Sequence, residues 1–158
     1  MFRIDPADLD DPRVIALVRR HVARAHAESG AANSAHALDL AGLKASEVRV
    51  WTLWDFDTPV GIGALKLLSQ DHGEVKSMYT AETARRRGAA RAMLRHIIAE
   101  ACVSGLSRLS LETGSWPYFG PARALYAGHG FEPCPPFGDY VLDPNSVFMT
   151  LNLEKRSA

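Results

Sequence analysis

The stretch from Gly73 to Cys102 constrains the fold most, because its hydrophobic pattern changes period partway along. At its start, Val75, Ser77 and Tyr79 alternate with the intervening residues, which is the two-residue period of a β-strand. From Ala90 onward the apolar residues recur at helical spacing and form one stripe. That stripe comprises Ala90, Met93, Leu94, Ile97, Ile98 and Ala101. The sequence therefore predicts a strand, a short loop and a long amphipathic helix.

The loop between this strand and helix carries an arginine-rich cluster, Arg85-Arg86-Arg87-Gly88-Ala89-Ala90. The first turn of a helix has N–H groups without intrahelical partners, and the helix dipole is positive there. Small side chains let an anion approach these groups, and arginines offer planar donors to its remaining oxygens. A solvated charge run capping an ordinary helix is the alternative interpretation. The flanking strand and helix favour a phosphate or pyrophosphate site, although the P-loop and dinucleotide-binding glycine motifs are both absent.

Composition limits the partners that this site could serve. The formal net charge of the 158 residues is zero at pH 7, so we expect no nucleic-acid partner. Cys102 and Cys134 lack metal-type spacing, and no His-x-x-x-His pair is supported by a carboxylate, so we expect no metal site. No signal segment begins the sequence and no apolar run could cross a bilayer. These features predict a cytoplasmic protein without a membrane partner.

The rest of the chain predicts an α+β fold around the central unit. Further strands are predicted at Phe2–Asp5, Val48–Trp54, Val60–Leu68, Leu106–Thr113 and Val147–Leu153, and further helices at Asp8–Glu28, Ser34–Ala41 and Ala122–His129. Three strands joined by short turns form an antiparallel meander, and the strand after the long helix must lie parallel to the central strand. We expect a mostly antiparallel sheet with one parallel strand pair and helices on both faces.

Two motifs resemble those of the GNAT acetyltransferases. Arg85-x-x-Gly88-x-Ala90 fits the acyl-CoA loop of that family, and Ala122-x-x-Leu125-Tyr126-x-x-x-Gly130-Phe131 fits its C-terminal helix. Gly73–Tyr79 and Leu111–Gly114 are similar to segments of a subgroup of small bacterial GNAT proteins. The resemblance implies one GNAT domain over residues 1–158. Residues 1–47 would form a strand and helical hairpin on the acceptor side, residues 48–131 the acetyl-CoA-binding core, and residues 132–158 the C-terminal strands.

The resemblance implies acetyl-CoA as the cofactor. The pyrophosphate would rest on the backbone amides of Arg86–Ala90, and the pantetheine arm would lie where the central strand diverges from its parallel neighbour. The cofactor-binding residues implied in this way are Met78, Tyr79, Thr80, Arg85, Arg86, Arg87, Gly88, Ala89, Ala90, Arg91, Thr113 and Tyr126.

The resemblance also implies an N-acetyltransferase that moves the acetyl group to a primary amine by direct attack. An alkyl ammonium must lose a proton first, and a carboxylate suits that step. Glu74 on the central strand is the first candidate and Glu112 the second, with a Glu74 that merely pairs with Lys76 as the alternative. Tyr126 stands at the general-acid position of the family, unless it only packs against the cofactor. A backbone N–H near Met78 or Tyr79 would stabilise the oxyanion.

The acceptor is expected to be a small-molecule amine, bound between the N-terminal hairpin and the Phe137–Phe148 segment. The side chains expected to line its pocket are those of His26, His36, Tyr140 and the Trp116–Phe119 loop. A non-catalytic acyl-CoA sensor or regulatory module is the alternative function, and a nucleic-acid binder is the weaker one. The resemblance also allows a homodimer in which the final strands pair across a two-fold axis.

Overall fold

The structure of the protein is a computed structural model, and it describes residues 2–28 and 37–154. The strands are β1 (Phe2–Pro6), β2 (Val48–Asp55), β3 (Thr58–Leu67), β4 (His72–Thr80), β5 (Arg108–Gly114), β6 (Glu132–Pro133) and β7 (Ser146–Asn152). The helices are α1 (Pro12–Glu28), α2 (Leu40–Leu43), α3 (Ala89–Val103) and α4 (Gly120–Gly128). Among the described helices, none is both long and apolar enough to cross a membrane.

The strands form one sheet in the order β1-β2-β3-β4-β5-β7-β6. Every neighbouring pair is antiparallel except β4 and β5, which are parallel because α3 carries the chain from the end of one to the start of the other. The predicted meander is β2-β3-β4, and the predicted parallel pair is β4-β5. The expected α+β fold with a mostly antiparallel sheet is therefore confirmed.

Helices cover the sheet on both faces, as β3 shows. Its residues from Pro59 to Ala64 are all buried, which requires cover on each side. The apolar stripe predicted for α3 faces one side, where Met93, Leu94 and Ile97 are fully buried. A Cβ on Gly63 would lie only 2.6 Å from Met93 Cγ, so glycine permits this close packing. Helix α1 packs on β3 and supplies cover as well, with Leu17 and Val18 buried.

Strand β4 contains a bulge that interrupts its alternation. Lys76 pairs with Ala64 and Tyr79 pairs with Ile62, so Ser77 and Met78 together lie opposite the single residue between them. Ser77 has a φ of 58°, a left-handed conformation that is uncommon for residues other than glycine. Cross-strand partners share a face, so the bulge places Tyr79 on the same face as Lys76. The strict alternation predicted across Ser77 is therefore wrong beyond Lys76.

The N-terminal helices differ in part from the prediction. Helix α1 begins at Pro12, and Asp11 Oδ1 accepts a hydrogen bond of 2.9 Å from the Arg13 N–H, as expected of a cap. The second helix was predicted at Ser34–Ala41, of which residues 34–36 lie outside the described residues. The helix is instead Leu40–Leu43, because Asp39 caps it by accepting from the Gly42 N–H at 2.9 Å. Gly42 therefore lies inside this helix.

Candidate active site

A cleft opens in the sheet where β4 and β5 separate. The two strands pair only from His72–Val75 to Arg108–Leu111, although β4 runs on to Thr80 and β5 to Gly114. Over that second half, β5 continues to pair with β7 on its other side. The fork between β4 and β5 is therefore held open by the sheet itself. A cavity of about 570 Å³ fills it, and this volume suits a cofactor or small substrate.

The cavity collects nearly all of the residues that were predicted as a site. Those that line it are Glu74, Met78, Tyr79, Thr80, Arg85, Arg86, Gly88, Ala89, Ala90, Arg91, Glu112, Thr113 and Tyr126. They come from three parts of the fold: the fork of the sheet, the loop that leads into α3, and α4. The sequence separates these parts by tens of residues, and the fold brings them to one space.

The predicted anion site lies at the start of α3, which borders the cavity. Gly88 is the N-cap residue, and no side chain caps the helix there. Its φ is 83° and no atom lies within 4 Å of where a Cβ would be. The preceding turn bends through Arg86, whose φ is 63°. The first N–H groups of α3 therefore face the cavity without a side chain in front of them.

The three arginines of this loop point in different directions. Arg85 and Arg86 line the cavity, and Arg85 donates from Nε to Thr80 O at 3.2 Å and from Nη2 to the Tyr118 hydroxyl at 3.4 Å. Arg87 instead donates to Asp55 Oδ2 at 2.9 Å, and its guanidinium lies 5.1 Å from the Phe2 ring. Its side chain thus ties the loop to the β1–β2 edge of the sheet rather than pointing into the cavity.

The two candidate carboxylates lie in different surroundings. Burial raises the pKa of Glu112 to about 7, and the nearby negative charge of Glu74 raises it too, while Lys76 acts in the opposite sense. Glu74 is itself 2% exposed, and its Oε2 accepts a hydrogen bond of 2.6 Å from the Tyr140 hydroxyl and lies 3.4 Å from Lys76 Nζ. The ion pair between Glu74 and Lys76, which was the alternative to a catalytic Glu74, is thus present. Glu74 is buried, however, and does not lie on the surface.

Tyr126 is placed by α4 with its side chain against the cavity wall. It is 6% exposed, and its ring meets the Phe131 ring edge-on at a centroid distance of 5.8 Å. Burial, and to a lesser extent the charge of Glu112, raises its pKa above the ordinary tyrosine value. The hydroxyl therefore stays protonated at neutral pH and can act as a donor.

Helix α1 brings three residues to the cavity that sequence reasoning did not assign to it, His21, Arg24 and Ala25. His21 lines the cavity with its ring 5.5 Å from that of Tyr79, and burial together with Lys76 lowers its pKa to about 4. Arg24 also lines the cavity and stacks over the Tyr118 ring at 4.9 Å. His21 falls on the apolar stripe of α1, which is a usable signal for an inward side chain, whereas nothing in the local pattern singles out Arg24.

The predicted pocket residues are only partly found at the cavity. Tyr118 and Phe119 line it, and the Phe119 ring packs so closely on Gly114 that a Cβ there would lie 2.1 Å away. Trp116 points elsewhere and donates to Asn145 Oδ1 at 2.9 Å. Tyr140 reaches the cavity through Glu74 and Lys76. His26 does not line the cavity, and His36 lies outside the described residues.

Comparison with known proteins gives consistent results. Residues 14–131 match the model of the Acetyltransferase (GNAT) family. The chain is 48% identical to the uncharacterized N-acetyltransferase YsnE of Bacillus subtilis, over 92% of this chain and 96% of that protein. It is 47% identical to the uncharacterized N-acetyltransferase YedL of Escherichia coli, over 97% and 96%.

A solved structure extends the comparison to the fold. It is a GNAT family acetyltransferase from Elizabethkingia anophelis with acetyl-CoA bound. It superposes with a TM-score of 0.69 and 15% identity, over 96% of this chain and 98% of its own. At that identity the likeness concerns the fold alone.

Proposed function

The chain belongs to the Acetyltransferase (GNAT) family, and from this we propose that it transfers an acetyl group from acetyl-CoA to a primary amine of a small molecule. The transfer is a direct attack of the amine on the thioester, with both substrates bound together. The observation that carries the proposal is the fork between β4 and β5. Around the cavity in this fork lie the uncapped start of α3, a buried carboxyl group and a protonated tyrosine.

The start of α3 holds the pyrophosphate of acetyl-CoA. Gly88 leaves the N–H groups of the first turn accessible, and Arg85 and Arg86 supply charge beside them. The pantetheine arm follows β4 into the fork, where that strand has lost β5 as a partner and its backbone can bond to a ligand. The match of residues 14–131 to the Acetyltransferase (GNAT) family supports the same choice of cofactor.

The amine must reach the thioester with its lone pair free. An alkyl ammonium with a pKa near 10.4 needs about 4.6 kcal/mol to give up its proton at pH 7. Glu112 takes that proton, directly or through water, because its pKa of about 7 suits a base at neutral pH. Glu74 is the other candidate, and its carboxylate is already engaged by Tyr140 and Lys76.

Two donors serve the charges that form on the acetyl group and the sulfur. The bulge at Ser77 and Met78 interrupts the β3–β4 ladder beside the cavity, so a backbone N–H of Met78 or Tyr79 is suited to stabilise the oxyanion of the tetrahedral intermediate. As the C–S bond breaks, the Tyr126 hydroxyl gives its proton to the leaving thiolate, and the proton that the amine nitrogen loses as the amide forms restores the hydroxyl. The raised pKa of Tyr126 keeps the hydroxyl protonated before that step. Tyr126 thus acts in the protonation state that its surroundings favour.

The test is steady release of free thiol from acetyl-CoA in the presence of primary amines. A panel of amino acids, amine-bearing metabolites and polyamines would identify the acceptor class. Turnover that requires both substrates supports the proposal. Saturable acetyl-CoA binding without thiol release for any amine would instead favour a sensor or regulatory module. A thermal shift with a DNA oligonucleotide but none with acetyl-CoA would favour a nucleic-acid binder.

A further inference from the structure

The side chains of Glu74, Lys76 and Tyr140 contact one another beside the cavity. The Tyr140 hydroxyl donates to Glu74 Oε2 at 2.6 Å and accepts from Lys76 Nζ at 2.8 Å, and Lys76 Nζ lies 3.4 Å from the same carboxylate oxygen. The side chains of Lys76 and Glu74 are only 9% and 3% exposed. Each member therefore depends on the other two, because a buried charge or hydroxyl without its partner is costly.

Tyr140 belongs to an irregular segment, residues 134–145, that connects β6 to β7. Its ring packs against Phe137 at 5.2 Å and Phe148 at 5.5 Å, and Phe137 in turn contacts His72 at 5.8 Å. Phe148 pairs across strands with Glu112, so the segment lies over the face of the sheet that carries both carboxyl groups. Backbone hydrogen bonds hold the two ends of the segment, from the Cys134 N–H to Phe148 O at 2.9 Å and from the Ser115 N–H to Asn145 O at 3.1 Å, so side chains such as Tyr140 are left to fix its middle.

The side-chain geometry limits what Glu74 can do for an amine. The Tyr140 hydroxyl and the Lys76 ammonium are both directed at its Oε2. Both donors converge on one oxygen of the Glu74 carboxylate, which would have to release Tyr140 or Lys76 before that oxygen could take a proton from an amine. Glu112 has no such ammonium within bonding distance in the described residues, and it lines the same cavity. The two carboxyl groups thus have different tasks, although their positions on adjacent strands look equivalent in the sequence.

We propose that Glu74 is a positioning residue: together with Lys76 it anchors Tyr140, and through it segment 134–145, as one wall of the acceptor site. This inference rests on the proposed acetyl transfer, for which Glu112 serves as the base. The acceptor meets a wall whose place is set by the sheet and not by the loop itself. The cluster also brings no net charge to that wall, since the Lys76 ammonium and the Glu74 carboxylate offset each other.

Anchoring can be measured without knowing the acceptor. Tyr140→Phe removes the hydroxyl and leaves the Glu74–Lys76 ion pair, so the protein should stay folded. With acetyl-CoA present, we expect amide hydrogen exchange in segment 134–145 to be about tenfold faster than in the unmodified chain, which is the scale of one lost hydrogen bond. Ser69→Ala, which removes an exposed hydroxyl bonded to Asp71, is the matched control and should change nothing there. Unchanged exchange in Tyr140→Phe would overturn the inference.

Kinetics then separate positioning from proton transfer. With the most active amine of the panel, Tyr140→Phe and Glu74→Gln should each raise the acceptor KM about tenfold and leave the acetyl-CoA KM unchanged. The double variant should be no worse than the poorer single one, because both remove the same anchor. The pH–rate profile of Glu74→Gln should run parallel to that of the unmodified enzyme. A Glu74→Gln rate that recovers as pH rises would show that Glu74 is the base and overturn the inference.

The two proposals fail in different ways. An unmodified protein that releases no thiol with any amine fails at the proposed function, before a variant is made, and the acceptor-wall inference falls with it. If the enzyme is active and its Tyr140→Phe variant keeps both the acceptor KM and the hydrogen-exchange pattern, only the acceptor-wall inference fails. Additive losses in the double variant would likewise overturn the shared anchor and leave acetyl transfer intact.

Discussion

Glu112→Gln should make the protein more stable and less active at the same time. In the folded chain burial raises the pKa of Glu112 to about 7 from an ordinary value of 4.5. At about 1.4 kcal/mol per pKa unit, burying the charged form therefore costs the fold about 3 kcal/mol. A glutamine has nearly the same shape and carries no charge, so the variant avoids that cost.

The pH dependence follows from the sign of the pKa change. A raised folded pKa means that the unfolded chain loses the proton first, so stability falls as pH rises from 4.5 through about 7. The variant should be about 3 kcal/mol more stable than the unmodified chain at pH 8. The difference should shrink to about 1 kcal/mol or less at pH 5, where the folded carboxyl group is protonated and the unfolded one only partly ionised.

Urea unfolding at pH 5 and pH 8 measures this difference, and thiol release measures the activity. The unmodified rate should rise with pH and reach half its limit near pH 7, whereas Glu112→Gln should be slower by about 100-fold or more, the usual scale for a lost general base. Glu132→Gln is the control, because Glu132 is exposed and lies outside the cavity. It should change neither quantity.

Two results would refute this reasoning. Equal stability of the two proteins at pH 8 would mean that burial of the Glu112 carboxylate does not destabilise the fold. A variant that is stabilised but fully active would mean that burying the Glu112 carboxylate costs stability, but that Glu112 takes no part in proton transfer.

Three further perturbations test other parts of the site. Gly88→Glu should abolish acetyl-CoA binding in calorimetry of the folded variant, because the new carboxylate would occupy the anion site; unchanged affinity would exclude that site. Tyr126→Phe should keep acetyl-CoA affinity within a few-fold and lower turnover by about 100-fold, the usual scale for a lost general acid, and unchanged turnover would leave Tyr126 a packing residue. Asp55→Asn should weaken acetyl-CoA binding about two- to fivefold in low salt and less in high salt, since the Arg87–Asp55 pair is partly exposed. If the variant and the unmodified chain bind acetyl-CoA equally well in low salt, the pair does not hold the loop.

Local pattern was enough to predict the central unit of the fold. The apolar stripe of α3 is buried at Met93, Leu94 and Ile97, because helical spacing by itself puts those side chains on one face. The uncapped helix start was also predictable, since the small size of Gly88 and the start of a helix are properties of a few adjacent residues. That this start binds an anion stays a prediction. The parallel pair β4–β5 followed from chain connectivity, which allows a strand–helix–strand unit few other arrangements.

Other features depended on partners that are distant in sequence. The bulge in β4 exists because Ser77 and Met78 share one position opposite β3, and no alternation pattern within β4 reveals it. The same holds for Arg87, whose ion-pair partner lies on β2.

The surroundings of the two carboxyl groups were decided only by the tertiary structure. Glu74 and Glu112 occupy similar places on adjacent strands, and the sequence ranked Glu74 first. The fold sends Tyr140, which lies 66 residues further along the chain, to Glu74 and leaves Glu112 in the buried fork, where its pKa rises to about 7. A residue type and its strand are local properties of the chain, so the sequence by itself determines them. The desolvation and hydrogen bonding that set a protonation state depend on every element packed around the group, so only the folded chain determines those.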